Sequence, residues 1–280
     1  MRQEKTLKAV IEILPDNIDA INCILICEVS NEGFSYLLKD DVTNMIVALA
    51  VYHFNSNPHG NHHSIFKKIF EDQLLLSENF KKTYIIYSFP ESVLIPFSSY
   101  NSQKNEEVLN MIHGDFSENN TVVTDLLIDN KLYNCYRVPS EFIHELSTKF
   151  PNAETFHQYS ILIKSSAVSG SKLSVIFYSH KIILMVQVDG KLLLINSFPY
   201  KTAEDVSYIL LNTCRQLEIK NIPIEVSGLI EKDSSLYKEL YKYFNMVSLA
   251  SLPAEVQFPG KTDTHPPHFF SHFFAVDACV

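Results

Sequence analysis

Residues 172–198 have the sequence KLSVIFYSHKIILMVQVDGKLLLINSF, in which two short turns separate three apolar runs. The runs Lys172 to Tyr178, Ile182 to Val188 and Lys191 to Phe198 have the length and composition of strands. Asp189-Gly190 is typical of a two-residue hairpin turn, because both residue types tolerate the positive φ that such turns require. The stretch therefore predicts an antiparallel meander of three strands.

A helix, a strand, a helix and a last strand are predicted after this meander. Thr202 is a typical N-cap for a helix from Ala203 to Leu217, whose apolar residues recur at helical spacing. Ile224 to Ser227 predicts a strand, Ser234 to Phe244 a helix and Met246 to Leu249 the final strand. The second half of the chain thus has the predicted order βββαβαβ.

The first half repeats this order in a looser form. Three strands are predicted at Cys23 to Val29, Phe34 to Leu38 and Met45 to Phe54. A helix is predicted at Ile65 to Leu75 and a fourth strand at Thr83 to Tyr87. The less regular part that follows predicts an extended segment at Val93 to Pro96, a helix at Asn105 to His113, and a hairpin formed by Thr121 to Ile128 and Lys131 to Val138. A second helix is predicted at Glu141 to Lys149 and a short strand at Ser160 to Lys164.

The duplicated order predicts an α/β protein of two similar subdomains. Small residues dominate Ser165 to Ser171, so we place the boundary there, between residues 1–165 and residues 166–280. Two βββαβαβ units in succession resemble the ribonuclease H-like unit that is duplicated in the actin, hexokinase and heat-shock chaperone ATPases. This resemblance implies an actin-like ATPase fold, with a nucleotide cleft between the subdomains.

Local sequences add to the resemblance. Tyr84 to Glu91, Val93 to Pro96 and Val226 to Leu229 resemble segments of actin-like proteins from pilus and secretion assemblies. The closing run, His268 to Val276, resembles that of an uncharacterised bacterial family of unknown function assigned to the actin-like ATPase fold. The resemblance covers nearly the whole chain and implies a fold, because that family has no established activity to transfer.

Catalytic members of the actin-like superfamily carry an Asp-x-Gly-Ser/Thr turn after the first strand of each half. The Asp organises Mg²⁺ and water, and the Gly lets backbone amides approach the phosphates. In this chain Glu28 and Ser30 stand at the Asp and Gly positions, and Asn31 follows them. The second turn, Tyr178 to Lys181, has neither an acid nor a glycine and offers Ser179 as a phosphate contact.

Ser227-Gly228 keeps one small pair at the turn where active relatives hold adenosine with two glycines. The resemblance implies ATP with Mg²⁺, but one partial match in three favours a degenerate, non-catalytic nucleotide-binding or scaffold module, and we assign no cofactor. Glu28 is the candidate catalytic residue, with a strand-end surface acid as the alternative, and Gly228 is alternatively a plain turn glycine. An active ATPase or phosphotransferase with atypical phosphate contacts stays open.

Composition limits the remaining classes. Glycine accounts for only 7 of 280 residues, which disfavours abundant phosphate loops. The formal charge of −9 disfavours nucleic-acid binding. No apolar run reaches the ~20 residues of a membrane span, and the start does not resemble a signal peptide. We therefore expect a cytoplasmic protein whose five cysteines are mostly reduced core thiols.

The last residues contain four phenylalanines at the spacing of a helical stripe: Phe269, Phe270, Phe273 and Phe274. Either this aromatic tail packs back on the core, for example on the first subdomain, or it anchors a protein partner of the kind found in pilus and secretion assemblies. His59, His62 and His63 place three imidazoles in one loop. They lack a well-spaced Cys or carboxylate partner, so we predict no metal site and assign them no role.

Overall fold

The computed structural model describes residues 9–14, 18–54, 62–115, 119–166, 170–257 and 265–279. The chain forms two compact units. The first unit comprises Met1–Ile161 with Glu255–Gly260, and the second comprises Leu162–Ala254 with Lys261–Val280.

The first unit contains a six-stranded sheet and a separate three-stranded sheet. In chain order its strands are β1 (Ile11–Ile13), β2 (Cys23–Ser30), β3 (Gly33–Asp40), β4 (Ile46–His53), β5 (Lys82–Tyr87), β6 (Ser92–Pro96), β7 (Asn120–Leu127), β8 (Leu132–Pro139) and β9 (Glu154–His157). The large sheet has the order β1-β4-β3-β2-β5-β9 and the small sheet the order β6-β8-β7. In the large sheet β2, β3 and β4 form an antiparallel meander, while β5 and β9 join β2 as parallel strands.

The α-helices described in this part of the chain are α1 (His62–Asp72), α2 (Asn105–His113), α3 (Ser140–Lys149) and α4 (Gln158–Ser165), of which α4 begins in the first unit and continues past its last residue, Ile161. One face of the large sheet carries the core, in which Phe34, Phe66 and Phe142 are buried. Phe66 lies edge-on to both of the other rings, at centroid distances of 5.2 Å and 5.3 Å. These contacts hold α1 and α3 against the same face of the sheet.

In the described residues, the second unit contains one five-stranded sheet and two α-helices. Its elements are β10 (Lys172–Phe177), β11 (Lys181–Val188), β12 (Lys191–Pro199), α5 (Ala203–Gln216), β13 (Ile224–Gly228), α6 (Ser235–Tyr241) and β14 (Val247–Leu249). The helix α5 begins in a capping box, in which Thr202 Oγ1 accepts from the Asp205 backbone N–H and the Asp205 carboxylate accepts from that of Thr202.

The two large sheets have the same strand order. The second sheet runs β12-β11-β10-β13-β14, and the corresponding part of the first runs β4-β3-β2-β5-β9. In both, an antiparallel meander is extended by two parallel strands that follow helices. The predicted duplication of an α/β unit with the order βββαβαβ is therefore confirmed.

Two sequence predictions are wrong at the level of local structure. Residues Ser160 to Lys164 were expected to form a strand, but they belong to α4, and the strand β9 ends just before that helix. The aromatic tail was expected to be an α-helical stripe, but it forms two 3-10 helices, Pro267–Phe269 and Ser271–Cys279. The apolar residues described in both places are buried, among them Ile161 and Ile163 of α4 and Phe269, Phe270, Phe273 and Phe274 of the tail, so they do not mark one face.

Candidate functional site

The carboxyl ends of β2, β5 and β9 form what we call the first edge, comprising Glu28, Ser30, Ser88 and Gln158. The three strands are parallel, and Val29 pairs with Tyr87, which in turn pairs with His157. Ser30, Ser88 and Gln158 follow these three positions and therefore come to the same edge of the sheet, and Glu28 lies one residue before Val29. In open α/β sheets, ligands bind beyond the carboxyl ends of the strands.

Glu28 and Ser30 lie on the face of the sheet away from the aromatic core. Cys27 and Val29 belong to the core, so the alternation of the strand turns the two polar residues to the other face, where both are buried. The Ser30 Oγ accepts a hydrogen bond from the backbone N–H of Glu32 at 3.1 Å. Asn31 is exposed at the tip of the turn. The hydroxyl group of Ser30 thus closes the first turn through a hydrogen bond within the turn.

Gln158 is the polar group at this edge that the sequence analysis missed. Its side chain is fully buried, and neither amide atom has a hydrogen-bond partner in the part of the chain that the structure describes. Such a group costs about 1–3 kcal/mol unless water or a ligand satisfies it. Gln158 is also the first residue of α4, where backbone N–H groups favour an anion. Gln158 is therefore a buried polar group at this edge whose amide lacks a protein partner among the described residues.

The neighbouring His157 is held by three hydrogen bonds. Its Nε2–H donates to the Phe89 carbonyl at 2.9 Å, and its Nδ1 accepts from the Tyr159 N–H at 3.0 Å. Its backbone N–H donates to the Asp125 carboxylate, which also accepts from the hydroxyl of Tyr136. Burial and the Asp125 charge raise the pKa of Tyr136 well above its ordinary value, so the phenol stays a donor. Both ring nitrogens of His157 are therefore engaged in hydrogen bonds within the unit.

The carboxyl ends of β10 and β13 form the second edge, comprising Tyr178, Ser179, Ser227 and Gly228. The Tyr178 N–H donates to the Lys181 carbonyl at 2.9 Å, which closes the turn between β10 and β11 tightly. Lys181 is buried, with its Nζ 5.1 Å from the centre of the Tyr178 ring. Lys181 thus places a cation near the predicted phosphate turn, where an Asp-x-Gly pattern gives no indication of one.

Gly228 is required by the backbone of its own sheet. Its φ is +77°, and an added Cβ would lie 2.2 Å from the carbonyl oxygen of Phe177 on the paired strand β10. No side chain fits in that space, whether or not a ligand is present. Its neighbour Ser227 is buried on the face of the sheet opposite to Val226 and the core.

The aromatic tail lies against the carboxyl end of β13. His268 Nε2 is 2.6 Å from the carbonyl oxygen of Ile230, and the His272 ring lies edge-on to that of Tyr178 at 5.8 Å. The four tail phenylalanines, Phe269, Phe270, Phe273 and Phe274, are each at most 9% exposed. The hypothesis that these rings form an exposed anchor for a partner is therefore wrong, because they are already packed within the chain. The sequence left open that the tail packs on the first subdomain. The residues that contact His268 and His272, namely Ile230 and Tyr178, belong to the second unit.

We expect the stability of the second unit to fall as the pH drops below about 6.5, the ordinary pKa of histidine. Burial lowers the pKa of His268 in the folded chain, so the unfolded chain binds the proton more readily and protonation favours unfolding. Thermal unfolding between pH 7.5 and pH 5 measures this effect. His268→Gln should reduce the pH dependence relative to the parent chain. An unchanged slope in His268→Gln would contradict the assignment.

The candidate residues fall into two groups, one for each unit. The first unit holds Glu28, Ser30 and Asn31 around the end of β2, and the second holds Ser179, Ser227 and Gly228 at the ends of β10 and β13.

His59 lies outside the described residues, and His62 and His63 begin α1, where only their backbone is described. Among the described residues, no three His, Cys, Asp or Glu side chains are grouped so that they could hold a metal ion. No helix in that part of the chain is long and apolar enough to cross a membrane.

A family model matches most of this chain. The model of a family described as protein of unknown function (DUF3822) matches residues 16–247. The chain belongs to the DUF3822 family. This membership confirms the predicted relation to a family of unknown function. No curated protein matches the sequence.

Solved structures place this DUF3822 chain in the actin-like ATPase fold. A Bacteroides thetaiotaomicron protein with actin-like ATPase fold and unknown function matches with a TM-score of 0.72 and 22% identity, over 84% of this chain and 94% of that one. The PilM-PilN type IV pilus biogenesis complex gives a TM-score of 0.58 at 10% identity, over 93% and 97%. The ethanolamine utilization protein EutJ from Carboxydothermus hydrogenoformans gives 0.51 at 8% identity, over 91% and 88%. At these identities the likeness establishes the fold alone.

Proposed function

We propose that this protein is a non-catalytic actin-like module that acts as a scaffold and has at most weak affinity for nucleotides. The proposal rests on the second edge, where contacts within the chain itself fill the space around Gly228 and close the adjoining turn. At that edge Gly228 faces the backbone of Phe177 at a distance that leaves no space for a side chain. The adjoining turn is closed by a backbone hydrogen bond, and Lys181 lies over the ring of Tyr178.

The first edge supports the same proposal. A phosphate-binding turn presents backbone N–H groups and glycine to the ligand. Here the Glu32 N–H donates to Ser30 Oγ, which removes one donor from that role. Ser30, Asn31, Ser179, Ser227 and Gly228 stay predicted contacts of a weakly bound nucleotide, with Glu28 as the predicted carboxylate.

A protein partner is the second part of the proposal. The PilM structure among the similar folds is a complex of PilM with PilN, so this fold serves protein association in that case. We propose a cytoplasmic protein partner for this chain as well. Because the tail phenylalanines are buried, the contact surface must lie elsewhere.

An active ATPase or phosphotransferase is the second candidate, and Gln158 favours it. Its buried amide lacks a partner among the described residues and lies at the same edge as Glu28. A carboxylate and an amide at one edge of a sheet are able to orient Mg²⁺ and water for hydrolysis. In that case Glu28 would organise the ion.

Calorimetry and a phosphate-release assay with Mg²⁺ and ATP separate the two candidates. We expect a dissociation constant of about 1 mM or weaker and no phosphate release above the buffer background. Glu28→Gln and Glu32→Gln, the latter in the adjoining turn, should behave as the parent chain does. Micromolar affinity with turnover that is lost in Glu28→Gln and retained in Glu32→Gln would overturn the scaffold proposal.

A further inference from the structure

The strand β7 is an open edge of the small sheet. It has eight residues, and in the described part of the chain it pairs only with β8. In an antiparallel pair, every second residue of an outer strand directs its N–H and C=O groups away from the partner strand. Such a row is a template for another strand.

The other sheet edges are short or protected. β1 and β14 have three residues, β9 has four, and β6 has five and ends in proline. β12 is longer, but it begins with Lys191, ends with Pro199 and has a bulge in its pairing with β11. The Asn196 Oδ1 also accepts from the Ser197 N–H at 2.8 Å. Proteins use lysine, proline and bulges to prevent pairing at an edge.

Neither proline nor lysine occurs in β7, whose sequence is NTVVTDLL. Its one charged residue, Asp125, turns inward and accepts hydrogen bonds from the Tyr136 hydroxyl and the His157 N–H. That carboxylate is therefore engaged inside the unit and does not protect the edge. β7 is the longest described edge strand without such protection.

An apolar cluster on one face of the small sheet extends to this edge. Tyr133 of β8 pairs with Leu126 of β7 and with Ile95 of β6, so the three side chains share one face. The Tyr100 ring stacks on that of Tyr133 with ring centres 3.6 Å apart, and the exposed Phe97 ring lies 5.0 Å from the Tyr133 ring. Leu126 lies at the edge of this cluster and is 44% exposed. A strand added to β7 would place alternate apolar side chains beside it.

Charge indicates the kind of strand that fits. Residues 91–150 carry nine acidic and four basic side chains, so this region contributes more than half of the chain's formal charge of −9. Exposed acidic residues flank β7 at both ends. Near its start, Glu141 follows Ser140, whose backbone N–H donates to the Asn119 carbonyl. After its end, Asp129 lies in the hairpin turn between β7 and β8. A second copy of this chain would bring like charges together. A basic segment would be attracted.

We propose that β7 binds an extended segment of a protein partner in which apolar and basic side chains alternate. The segment joins the small sheet as a fourth strand through main-chain hydrogen bonds. Its apolar side chains lie beside Leu126, and its basic side chains lie near Glu141 and Asp129. This inference concerns a surface formed by the first unit alone and does not depend on whether nucleotide binds.

A random peptide library tests the proposal on the full chain. Peptides of eight residues, the length of β7, are selected on the wild-type protein, and the affinity of a selected peptide is measured by fluorescence anisotropy. We expect enrichment of alternating apolar and basic sequences. Hydrogen exchange with the bound peptide should show new protection at β7 amides. No enrichment, acidic consensus sequences, or protection at another strand would each refute the proposal.

Two matched substitutions complete the test. Leu126→Lys removes the apolar contact and adds a like charge, and we expect it to weaken binding about tenfold or more. Leu193→Lys places the same change on the edge strand β12, where the side chain is 45% exposed, and should leave binding unchanged. Both positions are exposed, so both variants should fold, which circular dichroism checks. Equal binding by wild type and Leu126→Lys would overturn the proposal, as would a wild-type dimer that pairs through β7.

Discussion

Gly228→Ala is expected to destabilise the second unit by about 3–5 kcal/mol, from left-handed backbone strain together with overpacking. The φ of +77° disfavours any L side chain, and the new methyl group would lie 2.2 Å from the Phe177 carbonyl oxygen. The strands β10 and β13 would have to separate to admit it. Thermal unfolding and hydrogen exchange at β10 and β13 amides measure the loss.

Gly190→Ala is the matched control. Gly190 also has a positive φ, +74°, but an added Cβ would meet nothing within 4 Å. This variant should lose only the conformational part, about 1–2 kcal/mol. If Gly228 were kept for a nucleotide instead, Gly228→Ala would resemble Gly190→Ala in stability and would differ in ATP affinity. The pair of variants therefore separates a structural glycine from a ligand-binding one.

The meanders were predictable because their signals are local. Asp189-Gly190 has the positive φ values of a hairpin turn, 50° and 74°, as its residue types indicate. The capping residue Thr202 likewise marks the start of α5. Strand alternation and turn chemistry depend on neighbours in the sequence, so the duplicated order could be inferred from them.

The errors arose where burial removes the periodic signal. Ile161 and Ile163 of α4 are both buried, and an apolar run that is buried on all sides looks the same in a helix and in a strand. The tail prediction failed for a related reason, since its four buried rings are spread over two 3-10 helices and the residue between them rather than along one helical stripe. Length and flanking residues did not resolve either case.

The candidate site was predictable only in part. The turns after β2 and β10 could be located because they interrupt apolar runs. Gln158 could not be found, because its significance depends on burial and on a missing partner, neither of which the sequence reveals. The same holds for the contact between Gly228 and Phe177, which are 51 positions apart in the sequence. Residues that matter through distant contacts need coordinates.

Phe270→Ala is expected to destabilise the second unit by about 3–5 kcal/mol, the usual cost of deleting a buried phenylalanine ring. Phe270 is 1% exposed and lies 6.1 Å, edge-on, from Phe269. The cavity left behind would loosen the tail where it lies against β13. Chemical denaturation followed by hydrogen exchange of the second unit measures this change.

Tyr243→Ala is the control, because that ring is half exposed and its loss should change stability by no more than about 0.5 kcal/mol. The two hypotheses for the tail predict opposite results for Phe270→Ala. If the ring anchored a partner, its removal would leave the free chain stable and reduce only association. If the ring is part of the core, the free chain itself loses stability, and protection of β13 amides falls with it. A stable Phe270→Ala chain with unchanged β13 protection would contradict the packing described here.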